Sequence, residues 1–209
     1  MKHDYRRHLP HQIPEATPIF VTWNLKGAFP RDVLEKLEWE RRRLLKEPPR
    51  KGESIRDRSL RHGKLIFTKA DEFLDSASTG PLYLRSPDCA KIVEDSILYG
   101  AKDRYDLFAW CVMANHVHIL IKPSGDLSDV MQSLKGYTAW KINKLQNQTG
   151  RTFWQDESYD HWSRDDEEFL RIIEYIENNP VKSKLCERPR DWPWSSARRR
   201  ERWPVGQPF

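Results

Sequence analysis

Alternation of apolar and polar positions is clearest in the middle of the chain, at Cys111-Val-Met-Ala-Asn-His-Val-His-Ile-Leu-Ile-Lys-Pro123. Side chains of a strand point alternately to opposite faces, so His116 and His118 share one face. Val117, Ile119 and Ile121 line the other face. A partner strand is predicted over Tyr105 to Met113, joined through Ala114-Asn115, with Asn tolerating the left-handed backbone of a tight hairpin turn. A first strand is predicted at Ile19-Phe-Val-Thr-Trp-Asn24 from its β-branched and aromatic residues.

Helical periodicity appears in four places. Pro30 and Asp32 precede a charged helix that runs from Val33 to about Lys46. Ser86-Pro87-Asp88 opens a helix with apolar Ala90, Val93, Ile97 and Leu98. Leu127 to Leu145 forms another, its stripe carried by Leu127, Val130, Met131, Leu134, Thr138 and Leu145. The last helix starts after the acidic run Asp165 to Glu168, which suits a helix N-terminus, and Pro180 is predicted to end it. Lys46 to Gly63, rich in arginine and proline, reads as a partly disordered loop, and Ile66 to Ala77 as a short strand followed by helix.

At about 100° per residue, Phe169, Ile172, Ile173 and Ile176 form the buried stripe of the last helix. Tyr175 and Asn179, four apart, stack along the flank of that stripe, while Asn178 faces solvent. Tyr137 falls beside the stripe of its own helix, where packing in the core is its expected fate. Two imidazoles on one face of an apolar strand suit a divalent metal but fill only part of its shell. The Asn179 carbonyl offers a third ligand, and Tyr175 a phenol that becomes nucleophilic only beside a cation or base.

Charge narrows the choice of partner. Net charge is +5, with 36 basic against 31 acidic residues, and the excess gathers at Arg41-Arg42-Arg43, Arg50 to Lys64 and Arg198-Arg199-Arg200. With nine tryptophans, these clusters point to a polyanion, because arginine binds phosphate and indoles stack on unpaired bases. Three scattered cysteines without a CxxC pair argue for a reducing cytosol and against a zinc knuckle. No stretch nears the roughly 20 apolar residues that cross a bilayer, and the N-terminal residues lead into no signal-like apolar segment.

The ordered set Met113-Ala-Asn-His-Val-His-Ile-Leu120, Gln132-Ser-Leu-Lys-Gly-Tyr137, Phe153-Trp-Gln155, Tyr159-Asp-His161, Tyr175-Ile-Glu-Asn-Asn-Pro-Val-Lys182 and Asp191-Trp-Pro-Trp-Ser-Ser196 resembles the REP-associated tyrosine transposases. These belong to the small single-tyrosine HUH transposases. The resemblance implies an α+β fold, a central antiparallel sheet with flanking helices in a ferredoxin-like variant, with the HUH pair on a central strand. It implies a metal-dependent nuclease and strand transferase on single-stranded DNA, often near hairpins. His116 and His118 fall on its metal-binding pair, Tyr175 on its nucleophile and Asn179 on its third ligand, with Mg²⁺ or Mn²⁺ as cofactor. A monomer is favoured over a homodimer, in the cytoplasm with the nucleoid.

The expected layout is a mobile lead-in at 1–17, a catalytic unit at 18–196 with a basic insertion near 41–63, and a basic tail at 197–209. Candidate DNA contacts are Lys135, Lys141, Lys144, Trp154, Tyr159, His161, Trp192, Trp194, Arg198, Arg199 and Arg200. For each a plainer role is open: a solvated lysine, a core tryptophan, a surface histidine. Two rival functions remain: a hairpin-binding protein on the same scaffold that no longer cuts, and an unrelated HxH hydrolase, which lacks the extra histidines and carboxylates such sites gather.

Overall fold

The computed structural model describes residues 17–76 and 80–209; the first sixteen residues of the predicted lead-in lie outside that range. In chain order the elements are β1 (Ile19–Asn24), α1 (Arg31–Lys46), α2 (Ile55–Ser76), α3 (Pro87–Gly100), β2 (Tyr105–Val112), β3 (His116–Pro123), α4 (Leu127–Leu145), β4 (Tyr159–Trp162) and α5 (Asp166–Lys182). The sheet is antiparallel throughout, in the order β2-β3-β1-β4. That is the split βαβ arrangement of a ferredoxin-like fold, and the paired histidines stand on one of its two central strands.

The two faces of the sheet bury different things. Val21, Trp23, Val117, Ile119 and Ile121 pack with Ala90, Val93 and Ile97 of α3 and Val130, Met131, Leu134 and Ile142 of α4. On the opposite face Phe20 and Leu120 meet Ile173 and Ile176 of α5, with Phe67 of α2 packed against them. His116 and His118 project to this second face. β3 is thus covered on both sides, which explains why its apolar run is unbroken apart from the imidazoles.

Several local expectations are corrected. Residues 55–63 are helix, not loop, and Ile66 lies inside α2 rather than on a strand. Ser54 and Asp57 cap the start of that helix, with the Asp57 amide donating to the Ser54 hydroxyl at 3.1 Å. Pro180 does not stop α5, which runs on to Lys182; in the last turn a proline breaks one hydrogen bond without losing the helix. Asn115 adopts no left-handed backbone. A three-residue link, closed by Met113 N–H to the His116 carbonyl at 2.9 Å, joins β2 to β3 without it. In α4, Ile142 is buried, whereas Leu145 and Tyr137 are about half exposed.

The basic end of the chain is docked on β2. The Phe209 amide donates to the Leu107 carbonyl at 2.8 Å, and its ring meets Trp110 edge-on at 4.8 Å.

Ile119 is the central apolar residue of the strand that carries the histidines. Ile119→Ala is expected to cost about 2–5 kcal/mol in chemical denaturation, through lost burial and the cavity left behind.

Candidate metal centre and nucleophile

Register builds the centre from the sheet upward. β1 pairs with β3 so that Thr22 faces His118 and Asn24 faces His116. The Thr22 hydroxyl lies 2.7 Å from His118 Nδ1. Asn115 donates its amide N–H to the Leu74 carbonyl at 3.1 Å, which turns its Oδ1 toward His116 Nδ1 at 2.7 Å. An amide oxygen only accepts, so His116 carries its proton on Nδ1 and presents a bare Nε2. This is the arrangement that supporting groups impose on metal-binding imidazoles.

The two Nε2 atoms meet at 3.0 Å. Without a cation, a proton on His118 Nε2 satisfies both. With Thr22 accepting instead from His118 Nδ1, both Nε2 lone pairs are free for a shared cation. Burial holds His116 down to about 3 and His118 well below its ordinary range, so both rings are neutral and able to ligate.

Two helices complete the centre. From α5, the Asn179 amide nitrogen sits 3.2 Å from His118 Nε2, and its oxygen, buried, has no hydrogen-bond partner. A half-turn of that amide exchanges the two atoms and offers the oxygen instead. One turn earlier, the Tyr175 hydroxyl donates to Asp71 of α2, and its ring lies 5.8 Å from the His118 ring.

Also from α2, Asp71 Oδ1 approaches His118 Nε2 and Asp75 Oδ1 approaches His116 Nε2, each at 3.6 Å. Lys182 pairs with the other Asp75 oxygen at 2.8 Å. Asp71, Asp75, His116 and His118 bring ligand atoms within 4.8 Å of one another, a buried group able to hold a metal ion. Burial first, and then the neighbouring Asp75 charge, push the Asp71 carboxyl up to about 8.

The structure therefore gathers His116, His118, Tyr175 and Asn179 in one place. Thr22, Asn115, Asp71, Asp75 and Lys182 join them unforeseen. A signal for two of these existed, since Asp71 and Asp75 are four apart and share one helix face.

The predicted DNA contacts are dispersed. Lys135 donates to the Gln155 and Asp156 carbonyls at 2.7 and 2.9 Å. Lys141 and Lys144 lie over the rings of Tyr137 and Trp140 on the outer side of α4. Trp154 is buried and donates to Thr138 at 3.0 Å. Trp192 donates to the Val112 carbonyl at 3.0 Å, and Trp194 is half-buried against the core. Tyr159 stacks on Phe67 at 3.9 Å, and His161 meets Glu168 at 3.0 Å. Arg198 donates to the Pro193 carbonyl, Arg199 faces Glu94, and Arg200 joins Glu177 to the Phe108 carbonyl.

The raised Asp71 carboxyl sets a sign for stability in metal-free protein. A group raised in the folded state contributes fully below its unfolded value near 4 and loses that contribution as pH climbs toward about 8. The histidines, held low, act oppositely but only below about 6.5. Between pH 6.5 and 8, thermal melts in chelator are expected to show wild type losing stability with rising pH, and Asp71→Asn losing less.

Residues 89–179 match the family model described as Transposase IS200 like, a span that holds both histidines, Tyr175 and Asn179. The chain is 29% identical over 114 residues to a REP-associated tyrosine transposase of Escherichia coli, covering 52% of this chain and 65% of the relative. To a provisionally named REP-associated tyrosine transposase of Haemophilus influenzae it is 28% identical over 106 residues, 46% of this chain and 60% of that protein. The matched stretches thus span less than two thirds of either relative's length. A solved REP-associated tyrosine transposase bound to a REP hairpin shares the fold, with a TM-score of 0.55 at 17% identity, over 91% of this chain and 82% of that one. The chain is thus similar in sequence to REP-associated tyrosine transposases over about half its length, similar in fold to a solved one, and matches the IS200-like transposase model over residues 89–179.

Proposed function

We propose that this chain nicks and rejoins single-stranded DNA at hairpin-forming repeats, with Tyr175 as nucleophile. The observation that carries this reading is the convergence of the Tyr175 hydroxyl, two neutral imidazoles and Asn179 on one buried spot. His116, His118 and Asn179 would hold Mg²⁺ or Mn²⁺. Bound there, the ion would polarise the scissile phosphate and stabilise charge on the leaving oxygen.

The protein's own groups then do the positioning. Asp71 accepts the hydrogen bond of the Tyr175 hydroxyl, fixing its direction and enriching its oxygen. Phe20 packs edge-on against the Tyr175 ring at 5.9 Å and stacks on His118 at 5.6 Å, so phenol and imidazole are held as a unit. Attack of the phenol oxygen on phosphorus forms a 5′-phosphotyrosine and releases a 3′-hydroxyl. A second 3′-hydroxyl displaces the tyrosine and reseals the strand, with the bond energy conserved throughout. Neutral imidazoles add no positive charge of their own, which leaves stabilisation of the phosphoryl group to the cation.

DNA hairpins fit as partners on two grounds, charge and likeness. The chain carries a basic excess. The E. coli relative is named for its association with REP sequences, and the solved neighbour holds a REP hairpin. Among the described residues, no helix is long and apolar enough to cross a membrane. A cytoplasmic, nucleoid-associated monomer is the setting we propose.

Incubation with labelled hairpin DNA and Mn²⁺ is expected to give a covalent protein–DNA band on a denaturing gel. Tyr175→Phe is expected to abolish that band while hairpin affinity stays within about two-fold, as expected when only the reacting hydroxyl is lost. An adduct that persists in Tyr175→Phe assigns the nucleophile elsewhere. Tight binding without cleavage under any metal makes the protein a hairpin binder alone.

A further inference from the structure

We infer that α2 belongs to the metal centre: Asp71 and Asp75 ligate the same ion as His116 and His118, so that the ion fastens α2 to the sheet. This deepens the reading above and rests on its metal site. The ligands proposed so far come from β3 and α5, inside the matched transposase core, whereas α2 precedes that core. Yet α2 delivers two carboxylates, one helical turn apart, each with an oxygen 3.6 Å from a different imidazole Nε2.

Independent observations point to a cation at this spot. Asp71 is 1% exposed and its Oδ1 has no hydrogen-bond partner. Asn179, also 1% exposed, leaves its Oδ1 equally unpartnered. Buried acceptors without donors are costly, and a cation satisfies several at once. Lys182 pairs with Asp75 at 2.8 Å and leaves Asp71 Oδ1 without a partner.

The donor set also bears on which ion. Two imidazoles and two carboxylates, with no thiolate, suit Mn²⁺ or Mg²⁺ better than a soft metal. A six-coordinate ion held by these four keeps two positions, enough for Asn179 and one phosphate oxygen. Asp71 gains a second task, since its other oxygen holds the Tyr175 hydroxyl. One side chain would then tie the nucleophile to the ion, setting their separation through a single carboxylate.

The test uses the full chain without DNA, titrated with Mn²⁺ by calorimetry. Asp71→Asn and Asp75→Asn are each expected to weaken binding by about ten-fold or more, the scale of losses at metal-supporting groups. Glu72→Gln, on the exposed side of the same helix, is expected to bind as wild type does. Asparagine matches aspartate in size, and circular dichroism confirms that each variant is folded.

Hydrogen exchange supplies a readout that a packing role would not move. Mn²⁺ is expected to slow exchange over the second half of α2 in wild type and to leave it unchanged in Asp71→Asn. Wild-type Mn²⁺ affinity in both asparagine variants, or undiminished Mn²⁺ protection of α2 in Asp71→Asn, overturns the inference. The two readings fail separately. Carboxylate-dependent Mn²⁺ binding without any strand cleavage leaves the metal centre standing and removes the nuclease. Cleavage by Asp71→Asn and Asp75→Asn with unaltered metal demand does the reverse.

Discussion

Two imidazole nitrogens held 3.0 Å apart on the buried stretch of β3 are the constraint around which this molecule is organised. Polar rings buried so deeply are tolerated only where every nitrogen has an engagement. The sheet supplies half of these through Thr22 on the neighbouring strand and Asn115 in the hairpin link. Both supports act on Nδ1 and leave Nε2 to the centre. The remaining engagement comes from elements far apart in sequence, α2 and α5, which close over the pair.

That closure couples fold to chemistry. Phe20, Phe67 and Leu120 form an apolar collar with Ile173 and Ile176, and the same packing that seats α5 brings Tyr175 and Asn179 to the histidines. The low dielectric of this collar keeps the rings neutral and pushes the Asp71 carboxyl upward. A divalent ion would reverse that preference, drawing the carboxylates into their charged form. Metal affinity and the ionisation of the centre are therefore one equilibrium.

Much of this was legible in the chain because its periods are local. Alternation about His116 and His118 gave the strand and its two faces, and the 127–145 stripe fixed α4 to the residue. A helical wheel sufficed to place Tyr175 and Asn179 on one edge. What escaped was long-range or masked by composition. Arginine-rich residues 55–61 hide the opening turns of α2, which are marked by the Ser54 cap and the Arg61–Glu53 pair and carry no clear apolar stripe. Asp71 and Asp75 look like surface carboxylates until tertiary structure sets them against β3. Asn115 reads as a turn former, whereas its side chain, not its backbone, does the work. The arginines at 198–200 read as a polyanion contact from sequence, and the fold adds ion pairs of Arg199 with Glu94 and Arg200 with Glu177.

The measurement that bears most directly on this account is anomalous diffraction at the manganese edge from crystals grown with Mn²⁺ and no DNA. A single peak about 2 Å from the Nε2 atoms of both His116 and His118 is the predicted result. Ordered crystals with the imidazoles still bonded to each other and no manganese between them would contradict it.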